Sequence, residues 1–277
     1  MDPTCFTVEI EDDVARIELS RPDRLNSMTP EFWNELPEIV EGIDDKGAAR
    51  AIVLTSTGKH FTAGMDLAVF ASNDTLKSES GVTRAATIYD FVKVCQRTIS
   101  SLANCRIPVL AAIQGGCVGG GVDLITAADM RYATEDAFFC IQEINIGMTA
   151  DVGTFPRLSQ LIPDGVAREL AYTGRRMPAD EAKSVGLVNE VFSDRDAMIS
   201  GVMDVAREIA SKAPLAVYGT KRIMNYARDH STADTLDYIG IWNASMLQPS
   251  EMSEAFKANA EKRRGDFADL PQRPKKL

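Results

Sequence analysis

An apolar stretch, Val109-Leu110-Ala111-Ala112-Ile113-Gln114, runs straight into Gly115-Gly116-Cys117-Val118-Gly119-Gly120-Gly121, and an apolar helix carrying Asp123 starts at once. Few folds accommodate that order. The glycines let a ligand or another backbone approach within contact distance, and the free N–H groups at a helix start attract negative charge. A second segment, His60-Phe61-Thr62-Ala63-Gly64-Met65-Asp66-Leu67, also follows a strand and loop. Two such segments that each aim one N–H at a single oxygen make an oxyanion hole. Either segment alone reads more readily as a tight packing turn. The two together, near buried acids, read as a site.

Three acids sit in apolar, glycine-rich surroundings: Asp123 in GGGVDLITAAD, Glu143 in FFCIQEINIGM and Asp151 in TADVGTFPRL. A buried carboxylate without a partner costs several kcal/mol, so a chain that keeps three in one region is expected to use them. The competing reading is three surface acids on ordinary loops. In one apolar pocket they would not all ionise together, and at least one is expected to hold its proton near neutral pH. Carboxylates that move protons beside amides that hold an oxygen suit acid/base chemistry on an enolate-type intermediate.

Other chemistries lack their patterns. The chain has no G-x-S-x-G elbow and no G-x-x-x-x-G-K-[ST] loop, and its glycine run lacks the spacing of a dinucleotide fingerprint. Two histidines, His60 and His230, support neither a zinc site with the cysteines nor a Ser-His-Asp motif. The net charge of −10 argues against a nucleic-acid binder. Five scattered cysteines (Cys5, Cys95, Cys105, Cys117 and Cys140) read as reduced core thiols of an intracellular protein. No apolar run reaches membrane-span length, and the acidic N-terminus MDPTCFTVEIEDD has no targeting character. The terminal Lys275-Lys276-Leu277 reads as a solvated basic tail rather than a peroxisomal address.

Residues 6–19 alternate as a hairpin turning at Glu11-Asp12-Asp13. Thr29-Pro30 starts a helix in which Pro37 predicts a kink or break. Residues 50–55 form a buried strand, and 56–82 are loop-like, with a mobile stretch at 72–81. Ile88, Phe91, Val92, Cys95, Ile99 and Leu102 recur at helical spacing. Strands follow at RYAT, AFFCI and near 186–192. Helices are expected from Gly153 onward, at about 194–212, 214–228 and 232–264. With 277 residues and 45% hydrophobic content, this predicts an α/β fold of repeated ββα units with a helical C-terminal extension.

The order LSRPDRLNSM, FTAGMDL, IQGGCVGGGVDLITAADMRYAT and FCIQEINIGMTADVGTFPRL resembles the crotonase (enoyl-CoA hydratase/isomerase) superfamily over about residues 6–195, continuing through PADEAKSVGLVNEV. The resemblance implies a crotonase-like spiral of ββα units over 1–195 that holds the active site, and a helical trimerisation region over 196–277. It further implies homotrimers, often paired as homohexamers, and an acyl-CoA substrate whose coenzyme A is no separate cofactor. It assigns the oxyanion N–H groups to Met65 and Gly120 and the two acids of a typical hydratase to Asp123 and Glu143. Substrate contacts are expected at Arg24, Ala63, Asp66 and Gly119, with Lys59, Lys257 and Lys262 to Arg264 as further candidates for the phosphates. It implies a cytoplasmic protein in a bacterium, and a peroxisomal or mitochondrial-matrix one in a eukaryote.

Two features depart from a hydratase. Position 123 is Asp where a hydratase normally has Glu, which withdraws the carboxylate by roughly one carbon–carbon bond, about 1.5 Å. Asp151 stands where hydratases carry small residues. The pattern GGGVDL, QEINIG, ADVGT is similar to the Δ3,5-Δ2,4-dienoyl-CoA isomerases. In those enzymes one carboxyl removes a proton at the α carbon and another delivers one at the ε carbon. That implies Glu143 at the α carbon, Asp151 at the ε carbon and Asp123 polarising its neighbours. The alternative is an enoyl-CoA hydratase, a lyase using Asp123 and Glu143 to position water. A third reading is a non-catalytic acyl-CoA-binding or RNA-binding relative.

Overall fold

The computed structural model describes residues 3–66, Val69 and 81–274; Phe70 and most of the stretch expected to be mobile lie outside the described residues, as does the terminal Lys-Lys-Leu. The chain opens with the expected hairpin, β1 (Phe6–Glu11) and β2 (Val14–Leu19). Its turn residues Asp12 and Asp13 both take left-handed φ, 52° and 63°, the pair that a two-residue hairpin turn matched to strand twist requires.

Helix α1 (Pro30–Lys46) contains Pro37 without a break, so of the kink or break expected there the break does not occur. Proline removes the hydrogen bond to the carbonyl four residues back, here Trp33. The Thr98 hydroxyl supplies the missing donor, at 2.7 Å from the Trp33 oxygen. Thr98 lies on α2 (Gly81–Asn104), so tertiary packing repairs what the local sequence breaks.

Strand β3 (Ala51–Ser56) precedes α2. After it come β4 (Val109–Ile113), β5 (Gly116–Val118), α3 (Gly120–Ala127), β6 (Met130–Thr134) and β7 (Phe138–Cys140). Short helices α4 (Thr154–Leu158) and α5 (Asp164–Thr173), β8 (Met177–Pro178), α6 (Ala179–Ser184) and β9 (Glu190–Phe192) follow. The strand expected over 186–192 is therefore only its last three residues. The final helices are α7 (Arg195–Ala210), α8 (Pro214–Tyr226), α9 (Thr232–Met246) and α10 (Pro249–Glu261). The single helix expected over 232–264 is two, because Pro249 holds Gln248 extended and restarts the chain at a first-turn proline.

The strands sort into two sheets. One has the order β1-β2-β3-β4-β6-β9, parallel after the first hairpin; the other has the order β5-β7-β8. Two successive turns of the chain each give a strand to the first sheet and then one to the second, β4 with β5 and β6 with β7. Earlier turns contribute single bridges, Thr62 to Cys117 and Met28 to Met65. This alternation is the spiral of ββα units, and it stacks the loops after β2, β3, β5 and β7 along one edge.

The larger core lies between the first sheet and α1, α2 and α3. On the other face, Met198, Val202, Ala206 and Ala210 of α7, four residues apart, cover Val53, Leu110, Ala112 and Tyr132. The C-terminal tail returns to α1: buried Arg106 bridges Asp44 at 2.8 Å and donates to the Pro271 carbonyl. All five cysteines are free and buried, as the scattered spacing predicts.

Candidate active site

The stacked loops are locked to one another through their backbones. Phe61 N donates to Gln114 O at 2.8 Å, Thr62 N to Gly116 O at 3.1 Å, and Val118 N to Thr62 O at 3.2 Å. Met28 N donates to Gly64 O at 2.8 Å, while Asn26, itself left-handed, ties the carbonyls of Thr57 and His60. The segments are so close that a Cβ on Gly64 would stand 2.7 Å from the Val118 oxygen and 3.4 Å from the Gly120 nitrogen. The amide of Met65, the next residue, thus sits beside that of Gly120. Among the described residues, neither N–H has an acceptor within the protein. Gly119 precedes α3 with φ 54° and ψ −121°, a conformation that glycine tolerates and a side chain resists.

The acids surround this pair of amides. A Cβ on Gly119 would lie 3.1 Å from Glu143 Oε1, so the Glu143 carboxylate rests against the glycine that starts α3. Glu143 Oε2 is buried and without a partner. Burial, with the charges of Asp123 and Asp151 in support, pushes the Glu143 carboxyl up to about 7. Asp123 is fully buried on α3. Its Oδ1 accepts from Thr154 N, the first residue of α4, at 2.6 Å, and its Oδ2 is unpartnered. Burial raises it to about 6 against the hydrogen bonding from Thr154. Asp151 is exposed at the surface of the isolated chain, and burial of part of its carboxyl raises its pKa as well.

These groups border a cavity of about 870 Å³. Of the residues singled out from sequence, Arg24, Ala63, Met65, Asp66, Gly119, Gly120, Glu143 and Asp151 line it. Asp66 accepts from the Ser27 hydroxyl at 2.9 Å. Asp123 is close enough to couple electrically to Glu143 but does not border the cavity. Lys59, Lys257 and Lys262 to Arg264 do not line it either; Arg263 is paired with Glu254 and Arg264 with Asp13.

Sequence reading missed several wall residues. Ile88, Phe91 and Val92 of α2 face the cavity, whereas Ile99 and Leu102, further along the same stripe, are core. Apolar periodicity marks a helix face without saying whether protein or ligand covers it. Arg176 also lines the cavity, its guanidinium 4.3 Å from the Phe138 ring centroid. Nothing in the local RRMP sequence separates it from a surface cation.

An α/β spiral whose paired free amides meet carboxylates in an apolar-walled cavity defines a class of acid/base enzyme that handles a developing oxyanion. The sequence profile of the enoyl-CoA hydratase/isomerase family matches residues 9–271. The chain belongs to that family. It is 43% identical over 252 residues to a Mus musculus protein named mitochondrial Delta(3,5)-Delta(2,4)-dienoyl-CoA isomerase, covering 90% of this chain and 77% of that protein. It is 40% identical to a peroxisomal Arabidopsis thaliana protein of the same activity name, covering 94% of both. Among solved structures, the enoyl-CoA hydratase of Bacillus anthracis superposes with a TM-score of 0.87 at 29% identity, over 96% of this chain and all of that one.

Proposed function

We infer that the chain is a Δ3,5-Δ2,4-dienoyl-CoA isomerase acting in fatty-acid β-oxidation. The observation that carries this reading is which acids reach the cavity. Glu143 and Asp151 border it, and Asp123 does not. A hydratase would need Asp123 and Glu143 on one water, but Asp123 is fully buried and spends Oδ1 on the Thr154 amide. The relatives agree. The proteins named dienoyl-CoA isomerase stand at 36–43% identity, against 27% for a short-chain enoyl-CoA hydratase of Clostridium acetobutylicum.

The thioester oxygen accepts from the N–H groups of Met65 and Gly120, where negative charge gathers as the α proton leaves. Glu143 takes that proton. The electron pair spreads along the conjugated chain, and Asp151 delivers a proton at the ε carbon. Asp123 touches no reacting atom; its charge raises the proton affinity of Glu143. Ile88, Phe91 and Val92 hold the acyl chain, while Arg24 and Arg176 take the phosphates of the coenzyme A that the substrate carries. The chemistry requires no other cofactor. We assign the C-terminal helices to assembly into trimers or hexamers, a role supported by exposed Leu236, Ile241, Leu247, Met252 and Phe256. The relatives' names support a mitochondrial-matrix or peroxisomal setting in a eukaryote.

Asp123→Asn separates the two activities. As a residue acting through its neighbours, it should lower diene isomerisation by about tenfold. A hydratase mechanism would make the same change about as damaging as loss of Glu143.

The pH dependence follows from the raised carboxyls. Glu143 must be ionised to act as base, so kcat/KM for isomerisation should rise with an apparent pKa near 7. It should fall again as the last shared proton leaves the coupled acids. Stability runs the other way. A folded carboxyl with a raised pKa holds its proton where the unfolded chain has lost it. The stability these acids contribute is therefore complete in acid and is lost as pH rises through about 6 to 7. A rate profile with no apparent pKa above about 5 would refute the shared-proton arrangement.

A further inference from the structure

Isomerisation by two different acids leaves the enzyme inverted. The Cα–H bond breaks and its proton goes to the Glu143 carboxylate; the Asp151 O–H bond breaks and a Cε–H bond forms. Glu143 ends protonated and Asp151 ionised. Before the next turnover, Asp151 must regain a proton and Glu143 must lose one.

The two acids differ in how they can be reached. Glu143 has Oε1 against Gly119 and Oε2 buried, and it borders the substrate cavity but not the second cavity that Asp151 also meets. Asp151 forms part of the wall of two cavities. The second, of about 530 Å³, lies behind the segment 150–153 and is walled by Gln96, Asn104, Arg157, Gln160, Arg228 and Asp229 among others. Its lining suits water. Gln96 Nε2 donates to the Asp151 carbonyl at 2.7 Å, and Arg157 Nη2 donates to the Ser100 hydroxyl at 2.9 Å. Arg157 Nη1 is buried with no protein partner. A buried donor of that kind beside a roomy polar space is normally satisfied by water.

We propose that the second cavity is a water-filled port through which Asp151 exchanges its proton with solvent while the thioester still fills the first. A cavity water gives Asp151 a proton and takes one in turn from bulk solvent, so charge and atoms balance. The port lets the ε-carbon acid reset before the product leaves, whereas Glu143 exchanges with solvent more slowly, through the substrate cavity itself. The proposal rests on the isomerase reading and adds a route that the reading does not require.

The test is deuterium exchange into bound product. Enzyme is incubated in D2O with 2,4-dienoyl-CoA, and label at the ε carbon is followed by mass spectrometry beside conversion to the 3,5-diene. The port predicts wash-in at the ε carbon about tenfold or more faster than conversion. Gln160→Trp with Asn104→Trp narrows the port at two exposed positions. It should slow wash-in about tenfold relative to conversion at unchanged KM, with thermal melting to verify the fold and Gln160→Ala as a control that leaves the port open. Wash-in that never outruns conversion, or a filled variant that exchanges like the parent, overturns the port while the isomerase reading stands. No diene conversion at all refutes that reading instead.

Discussion

Asp151→Asn should reduce conversion of a 3,5-dienoyl-CoA by about 10²- to 10⁴-fold, the range that a positioned acid or base contributes. The amide keeps the size of the side chain and loses the proton the ε carbon needs. Binding should change little, because the thioester oxygen and the phosphates are held elsewhere, so the loss falls on kcat rather than KM. The first half of the reaction should survive. Glu143 can still remove and return the α proton, and in D2O the variant should wash deuterium into the α carbon of unconverted substrate. Near-normal turnover would remove Asp151 from the mechanism.

Glu143→Gln should produce a loss of similar size, about 10²- to 10⁴-fold, with the exchange pattern reversed. Deuterium should still enter the ε carbon of 2,4-dienoyl-CoA through Asp151, while the α carbon of the 3,5-diene stays unlabelled. The limb of the pH–rate profile near 7 should disappear, since it belongs to this carboxyl. Loss of both exchanges in both variants would mean that the acids do not divide the reaction between them. Because Glu143 leans on Gly119, the melting temperature of the variant tells a chemical loss from a shifted helix start.

Much of this arrangement was legible in the chain. Gly119-Gly120-Gly121 and Ala63-Gly64-Met65 announced themselves because only small residues permit the approach now seen between Gly64 and Gly120. The acids stood out because apolar neighbours make carboxylates costly. Which of them meets the cavity was not readable from burial alone. Asp123 points into the packing between α3 and α4, where it meets the Thr154 amide, and Asp151 opens onto the cavity from a loop. Both follow from where the spiral stacks its loops, which is a long-range property.

The misses have local causes. Pro37 predicts a kink or break from its own neighbours, and the donor that keeps the helix unbroken, Thr98, is distant in sequence. The strand Met177–Pro178 is too short to alternate, and it forms only because β7 offers an edge. Arg176 and the upper face of α2 carry no sign in their own residues that a ligand covers them.

The central claim is that Glu143 and Asp151 move a double bond rather than add water. The most direct measurement supplies a 3,5-dienoyl-CoA and follows the ultraviolet band of the conjugated 2,4-dienoyl product, with crotonyl-CoA and the loss of its enoyl band in parallel. Fast growth of the diene band with slow or absent hydration is the predicted result. Fast hydration with no diene conversion would contradict it.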